Sequence, residues 1–180
     1  MIQTIRVGRL LREAVAAPYS RLVTRPTGAA VRSRIEDALA RSGCLLACLD
    51  FSEIELLDLS CADEVVAKLL MADVARPPCY VVLQGLREDQ HEAIDHVLTH
   101  HRLAVAALPH DRGAPRLLGW ATADARAAFA AVTAHGALTA RGLSERLGWE
   151  ERRSHAALCD LALQRLVRAE GDHYHPLPLA

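Results

Sequence analysis

The chain has 180 residues, of which 51% are apolar and 24% charged, and its formal net charge is −1 at pH 7. This composition is typical of a globular protein and excludes an intrinsically disordered one, and the length allows one ordinary domain or two small ones. The balanced charge excludes a global electrostatic attraction to nucleic acid or to an acidic membrane.

The first residues carry no signal-peptide pattern, because Arg6, Arg9 and Arg12 interrupt the apolar residues there. No stretch approaches the ~20 consecutive apolar residues that a membrane-spanning helix needs. We therefore expect a cytoplasmic protein with no membrane association. The five cysteines are odd in number and lie within apolar segments, which indicates buried thiols in a reducing compartment.

Strands and helices alternate over the first two thirds of the chain. Short runs rich in apolar and β-branched residues predict strands over residues 2–12, 19–25, 44–51, 79–84, 103–108 and 116–120. Apolar residues at a spacing of four predict helices over residues 29–42, 60–73 and 87–101. Gly43 suits the position just after the first helix, and Arg76-Pro77-Pro78 stops the second. The alternation predicts an α/β fold, a mixed sheet with helices packed against it.

The second of these helices begins at Ser60, directly after a strand. We expect the Ser60 hydroxyl to cap the helix by accepting from the N–H of Asp63, which completes an S-x-x-[DE] start signature. The predicted apolar face consists of Cys61, Val65 and Leu69, with Ala62, Val66 and Leu70 alongside. Asp63, Glu64 and Lys68 are predicted to lie off this face, with Glu64 and Lys68 as a favourable i,i+4 pair.

The pattern changes after Trp120. Three short helices are predicted over residues 123–135, 140–147 and 150–165, and two short strands over 166–175. Three helices and a hairpin in this order describe a winged helix-turn-helix. The sequence therefore predicts two domains, an α/β domain at residues 1–121 and a winged-helix domain at 122–180.

Two segments of the first domain resemble the STAS domain, the fold of bacterial anti-sigma factor antagonists. They are Asp50-Phe51-Ser52-Glu53-Ile54 and Leu57-Asp58-Leu59-Ser60, and Ser60 falls at the position of the phosphorylated serine of that family. Ser60-Cys61-Ala62-Asp63-Glu64 is similar to a STAS-like branch found in uncharacterised bacterial regulators. Leu59 stands where the antagonists have serine, and Cys61 where they have glycine.

The resemblance implies a surface that binds a protein partner of the kinase-like or sigma-regulatory kind. Its residues are Asp58, Leu59, Ser60, Cys61, Asp63 and Glu64. Ser60 is the candidate for phosphorylation, and the alternative is that Ser60 only caps the helix. A phosphate there gains from the helix N-terminus but is repelled by Asp58 and Asp63.

The segment from about residue 124 to 178 resembles winged-helix transcription regulators, in residues 138–141, 143–148 and 166–174. The resemblance implies that the third helix and the hairpin contact DNA. The candidate contacts are Arg152, Arg153, Ser154, His155, Arg168, His173 and Tyr174. Residues 121–180 contain seven arginines and seven acidic residues, so the net charge of this segment is zero. Contacts with protein, including homodimerisation, are therefore the alternative.

The residues contain no complete catalytic set and no metal-binding pattern. His91 and His96 are five positions apart, off the i,i+4 spacing that places two ligands on one helix face, and His173 and His175 lack a third ligand. Phosphate-binding glycine motifs and the nucleophile elbow are absent. We expect no catalytic residues, no metal and no cofactor.

The sequence therefore predicts a bacterial regulatory protein that acts by binding a protein partner, with regulation by phosphorylation at Ser60. The alternative is a DNA-binding transcriptional regulator in which the STAS-like part is a sensor or dimeriser. A third hypothesis is a small-molecule-binding protein or enzyme that uses the crevice beyond the strand ends.

Overall fold

The computed structural model describes residues 2–72, 79–111 and 113–178. The chain divides into two units, Met1–Trp120 and Ala121–Ala180. The elements of the first unit are β1 (Ile2–Arg6), α1 (Val7–Val15), β2 (Arg21–Leu22), α2 (Arg25–Ser42), β3 (Leu46–Asp50), β4 (Leu56–Leu57), α3 (Leu59–Ala62), a π-helical segment (Asp63–Ala67), α4 (Lys68–Met71), β5 (Tyr80–Gln84), α5 (Glu88–His100), β6 (Ala104–Ala107) and β7 (Arg116–Gly119). The predicted helix end near Asp73 and the stop at residues 76–78 lie outside the described residues.

One five-stranded sheet has the order β1-β3-β5-β6-β7. The first four strands are parallel, and β7 runs antiparallel to β6 at the edge. Asp50 at the end of β3 lies opposite Arg6 of β1 and Gln84 of β5, so the carboxyl ends of these strands lie side by side. The short strands β2 and β4 form a separate parallel pair. The predicted α/β class and mixed sheet are confirmed, and the structure adds that the sheet is mostly parallel.

Helices pack against the sheet through one apolar cluster. Its buried members include Leu49 of β3, Leu83 of β5, Val105 of β6, Ile35 of α2 and Ile94 of α5. Burial of a side chain of this size contributes roughly 1.5–3 kcal/mol to folding. The apolar spacing of four that predicts the helices therefore also identifies the residues that attach them to the sheet.

The predicted strand over residues 2–12 is wrong beyond Arg6. Residues 7–15 form α1, in which Val7 and Leu11 are buried at a spacing of four and Arg9 bonds to Glu13 on the outer side. A short run of apolar residues interleaved with arginine fits the period of a strand and that of a helix. Burial of the i,i+4 pair favours the helix.

The predicted strand over residues 19–25 is longer than the observed one. β2 contains only Arg21 and Leu22, and α2 already begins at Arg25. Pro26 lies in the first turn of α2, where a missing N–H breaks no helical hydrogen bond. Gly43 follows α2 in the left-handed conformation, which confirms the prediction for this glycine.

The second unit consists of α6 (Ala123–His135), α7 (Ala140–Leu147), α8 (Glu151–Leu163), β8 (Arg168–Glu170) and β9 (His173–His175). Thr122 caps α6 and Thr139 caps α7 with their hydroxyl oxygens. β8 and β9 form an antiparallel hairpin, and Leu138 adds one antiparallel bridge to Tyr174. The sequence predicts the same order of three helices and a hairpin, with boundaries that agree within a few residues.

Gly119→Ala should destabilise the first unit by about 3 kcal/mol or more. Gly119 has a φ of +92°, and a Cβ there would overlap the Leu103 carbonyl oxygen and lie 2.6 Å from Leu98 Cβ. Gly43→Ala is the matched control, because Gly43 also has a positive φ (+55°) but nothing lies within 4 Å of its Cβ position. We expect the control to cost about 1 kcal/mol. Urea denaturation followed by circular dichroism compares the two, and equal losses would contradict the prediction.

Candidate functional site

Asp58 caps the helix that follows β4. Its Oδ1 accepts a hydrogen bond from the backbone N–H of Cys61 at 2.7 Å, and the Ser60 hydroxyl donates to the same oxygen at 2.9 Å. The predicted cap at Ser60, closed by Asp63, is wrong, since α3 begins at Leu59 and Ser60 is its second residue. Aspartate is as good a cap as serine, and its two oxygens allow it to bind a second segment as well.

The other oxygen of Asp58 binds the turn that begins α2. Asp58 Oδ2 accepts from the N–H of Thr24 at 3.0 Å, and the Cys61 thiol donates to the Thr24 carbonyl oxygen at 3.0 Å. Thr24 has a φ of +71°, which is rare for a β-branched residue. Burial alone would raise the pKa of Asp58, but the amides of Cys61 and Thr24 outweigh burial and hold that pKa below its usual value. One carboxylate thus positions the starts of two helices.

Glu64 is buried, with 2% of its surface exposed. Arg25 donates to its Oε1 at 2.8 Å, Arg32 lies 3.4 Å from Oε2, and Lys68 also donates to Oε1. The predicted Glu64–Lys68 pair is confirmed, but the predicted position of Glu64 off the buried face is wrong. Burial alone would raise the pKa of Glu64, yet hydrogen bonds from Lys68 and Arg25 hold it below its usual value.

The π-helical segment explains the burial of Glu64. A π turn contains more residues than an α turn, and four consecutive residues, 64–67, are buried here. Gly28 of α2 lies directly against this segment: a Cβ at Gly28 would be 2.9 Å from Glu64 Cβ and 3.2 Å from Cys61 Cα. The close approach of α2 places Arg25 and Arg32 around the Glu64 carboxylate.

Asp63 binds side chains from two other segments. Its Oδ2 accepts from Arg25 at 2.8 Å, and its Oδ1 lies 2.7 Å from His101 Nε2. Burial alone would raise the pKa of Asp63, but the hydrogen bonds with Arg25 and His101 lower it below the usual value. Because His101 follows α5, Asp63 connects the end of α5 to the start of α2.

An open cleft of about 550 Å³ lies beside the start of α3. It is lined by Arg25, Leu59, Ser60, Asp63, His96, Val97, His100 and His101. Leu59 is 51% exposed and lines this cleft. We term Leu59, Ser60 and this cleft the Ser60 surface. It combines an apolar side chain, a hydroxyl group and imidazoles that can hydrogen-bond to a partner.

The structure divides the residues predicted to bind a partner into three groups. Leu59 and Ser60 lie on the Ser60 surface. Asp58 and Asp63 are partly buried and hold the surface in place, although Asp63 also lines the cleft. Cys61 and Glu64 are buried, so they support the helix and do not present side chains to a partner.

The predicted DNA contacts of α8 differ in their exposure. Arg152 and His155 are exposed. Arg153 makes two hydrogen bonds with Asp124, at 2.8 and 2.7 Å, and its guanidinium carbon lies 4.2 Å from the Trp149 ring centroid. Ser154 is fully buried, and a hydrogen bond of 2.8 Å joins its hydroxyl to that of another serine. Its burial leaves Ser154 no surface for a contact with DNA.

The hairpin residues predicted to contact DNA also differ in their exposure. Arg168 is half-buried and lies 3.0 Å from Glu170, whereas His173 is exposed and lies 2.6 Å from Asp172. Tyr174 is 8% exposed, and a hydrogen bond with a cysteine of α8 raises its pKa to about 12. Tyr174 is therefore part of the core of the second unit in this conformation.

Sequence reasoning missed Thr24, Arg25, Gly28 and His101. Arg25 and Glu64 are 39 positions apart, and no spacing rule links two residues so distant. The available signal was the unusual Thr24-Arg25-Pro26 run at the start of a helix, which marks a special turn but does not identify what that turn binds.

Within residues 2–72, 79–111 and 113–178, no helix has the length and apolar content needed to cross a membrane. The same residues contain no group of three or more histidine, cysteine or acidic side chains arranged to hold a metal ion. Comparison of the chain with protein-family models, curated proteins and solved structures finds no match.

Glu64→Gln should destabilise the first unit by about 1–3 kcal/mol at neutral pH, because it removes the negative charge that three cations share. Glu92→Gln is the matched control, since Glu92 is exposed on α5, and its cost should stay within about 0.5 kcal/mol. Urea denaturation near pH 7 measures both. A cost for Glu64→Gln no larger than that of the control would show that the carboxylate contributes nothing.

Low pH should remove the difference in stability between the natural chain and Glu64→Gln. The pKa of Glu64 is lower in the folded state than in the unfolded state, so its stabilising effect is present above an unfolded pKa of about 4.3 and is lost as the pH falls through the folded pKa. The stabilities of the natural chain and Glu64→Gln should therefore converge at low pH. If the plots of unfolding free energy against pH for the two chains stay parallel below about pH 4, the depressed pKa of Glu64 is contradicted.

Proposed function

We propose that the chain is a regulatory protein that acts by binding, and that the Ser60 surface docks a protein partner. The observation that carries the proposal is the exposure of Leu59 at the start of α3, where its neighbours Cys61 and Ala62 are fully buried. An exposed leucine beside a cleft supplies apolar surface that a partner can remove from water. The resemblance of the Asp50–Glu64 region to STAS and STAS-like domains supports a regulatory partner.

The rigidity of the surface favours binding. Asp58, Asp63 and Glu64 hold the start of the helix through bonds to two other segments, the turn into α2 and the end of α5. A surface that is already ordered loses little conformational entropy when a partner binds. The geometry therefore suits recognition of a partner by a preformed surface.

Phosphorylation of Ser60 would oppose this binding. The Ser60 hydroxyl donates to Asp58, and a phosphoserine replaces this donor with a group of about −2 charge. That charge would face the carboxylates of Asp58 and Asp63. Ser60 does not cap the helix, because Asp58 supplies the cap.

Ser60→Asp and Leu59→Ala should each weaken partner binding at least about tenfold, since the first adds a repelled charge and the second removes an apolar contact worth ~1.4 kcal/mol or more. The immobilised full chain would be incubated with an extract of the cells that produce it, and retained proteins quantified by mass spectrometry. Ser33→Asp is the matched control, because Ser33 is exposed on α2. Ser60→Ala should bind nearly normally.

The proposal requires at least one protein retained by the natural chain and by Ser33→Asp but lost from Ser60→Asp and Leu59→Ala. Equal retention by all four chains would reject the Ser60 surface as the docking site. Circular dichroism of each variant separates loss of binding from loss of folding.

The second unit supports a second candidate function, DNA binding. Three helices followed by a hairpin, with the bridge from Leu138 to Tyr174, support the resemblance to winged-helix regulators. Arg152 and His155 are exposed at the start of α8, and His173 is exposed in the hairpin. Arg153 is less available, since Asp124 and Trp149 occupy its guanidinium. Under this proposal the first unit is a sensor or dimeriser.

If the protein binds DNA, the natural chain should slow the electrophoretic migration of a generic duplex at low salt. Arg152→Ala should then reduce the slope of log binding constant against log salt concentration by about one. Arg141→Ala on α7 is the control, because Arg141 is exposed but bonded to Glu145. An electrophoretic mobility series at increasing salt measures the slopes. Absence of a shift by the natural chain at low salt would exclude this function.

A further inference from the structure

Two cysteine thiols of the first unit lie in contact. Cys44 Sγ and Cys79 Sγ are 3.3 Å apart, although the residues are 35 positions apart in the sequence. Cys44 precedes β3 and is 2% exposed, and Cys79 precedes β5 and is 8% exposed. The sulfur atoms would need to approach by only about 1.3 Å to reach the length of a disulfide bond.

The backbone beneath these thiols supports a cross-link. β3 and β5 are adjacent parallel strands, and Tyr80 N–H donates to the Leu45 carbonyl oxygen at 2.8 Å just beside the two cysteines. Leu46 pairs with Tyr80, so Cys44 and Cys79 lie one position out of register, just before the paired residues. A spacing of about 4.8 Å between strands and of about 3.3 Å per residue along a strand gives a Cα separation of about 6 Å, within the range of about 4.4–6.8 Å that disulfides span. A disulfide here therefore requires side-chain rotation and no change in strand pairing.

The other cysteines compete poorly for Cys44 or Cys79. Burial, together with the nearby Asp50 carboxylate, raises the pKa of Cys48 to about 11. Burial and the Asp58 carboxylate raise the pKa of Cys61 to about 12. Both remain thiols at neutral pH, and a thiol is a poor nucleophile compared with a thiolate. Among the five cysteines Cys159 alone is not buried, so it is replaced by serine when Cys44 and Cys79 are tested.

We propose that Cys44 and Cys79 form a reversible disulfide when the chain meets a small-molecule disulfide. The less buried Cys79 thiolate attacks one sulfur of that disulfide, which breaks its S–S bond and releases one small thiol. The Cys44 thiolate then attacks the Cys79 sulfur and releases the second small thiol. Two protein thiols are oxidised and lose two protons, and the small disulfide is reduced to two thiols.

The cross-link would close a loop that contains β3, β4, α3, the π-helical segment and α4. Closing a loop of this length restricts the unfolded chain more than the folded one. We therefore expect the oxidised first unit to unfold at a temperature roughly 5–10 °C higher than the reduced one. The shift should disappear on addition of dithiothreitol.

The test uses the full chain carrying Cys159→Ser, which removes the most exposed thiol. The folded protein is incubated with glutathione disulfide, alkylated and digested without reduction, and its peptides are identified by mass spectrometry. The expected product is an intact chain that has lost two hydrogen atoms, with a single linked peptide pair containing Cys44 and Cys79. Reduction should restore the original mass.

Two further variants make the result decisive. Adding Cys48→Ala should leave the cross-link unchanged, whereas adding Cys44→Ser should abolish it and leave glutathione attached to Cys79. A linked pair that contains Cys48 or Cys61, or a chain that gains glutathione without a cross-link while Cys44 is present, would overturn the proposal. So would complete resistance of the folded chain to oxidation. The melting temperature provides an independent measure, because a cross-link that does not raise it would contradict the closed loop.

Discussion

The carboxylate of Asp58 is the interaction on which the candidate site depends. It accepts hydrogen bonds from the N–H of Cys61, the N–H of Thr24 and the hydroxyl of Ser60. Hydrogen bonds to an ionised acceptor are stronger than those between neutral groups, and these donors come from two segments of the chain. The start of α3 and the turn before α2 are therefore held by the same charge, and Ser60 is bonded to that charge directly.

Glu64 gives the same two helices a second connection. A buried ion cluster adds less net stability than its contacts suggest, because each charge must be removed from water. A misplaced α2 would, however, leave the Glu64 carboxylate buried without Arg25 and Arg32. Gly28 allows the close approach that prevents this. The cluster thus selects one position of α2 and so one shape of the Ser60 surface.

The sequence predicts the helices and strands that have one clear apolar period. It does not predict features that depend on contacts between residues far apart in the sequence. Strands β3, β5 and β6 and helices α5 to α8 follow from apolar runs and from spacing, and their bounds agree within a few residues. Residues 7–12 fit the period of a strand and that of a helix. They form a helix because this buries Val7 and Leu11 together. The sequence predicts an exposed Glu64, because local residue spacing reveals neither the π-helical segment nor the cationic side chains of α2 that surround the carboxylate.

The position of Ser60 connects surface recognition to the interior of the first unit. A negative charge on the Ser60 oxygen would repel the Asp58 carboxylate directly, since the Ser60 hydroxyl is hydrogen-bonded to that carboxylate. Asp58 is also what holds Thr24 at its unusual positive φ, and a strained conformation persists only while its surroundings enforce it. The residue after Thr24 is Arg25, which bonds to Asp63 and Glu64. A modification at Ser60 would therefore change the surface that a partner meets and also loosen the contact between α2 and the helix behind that surface.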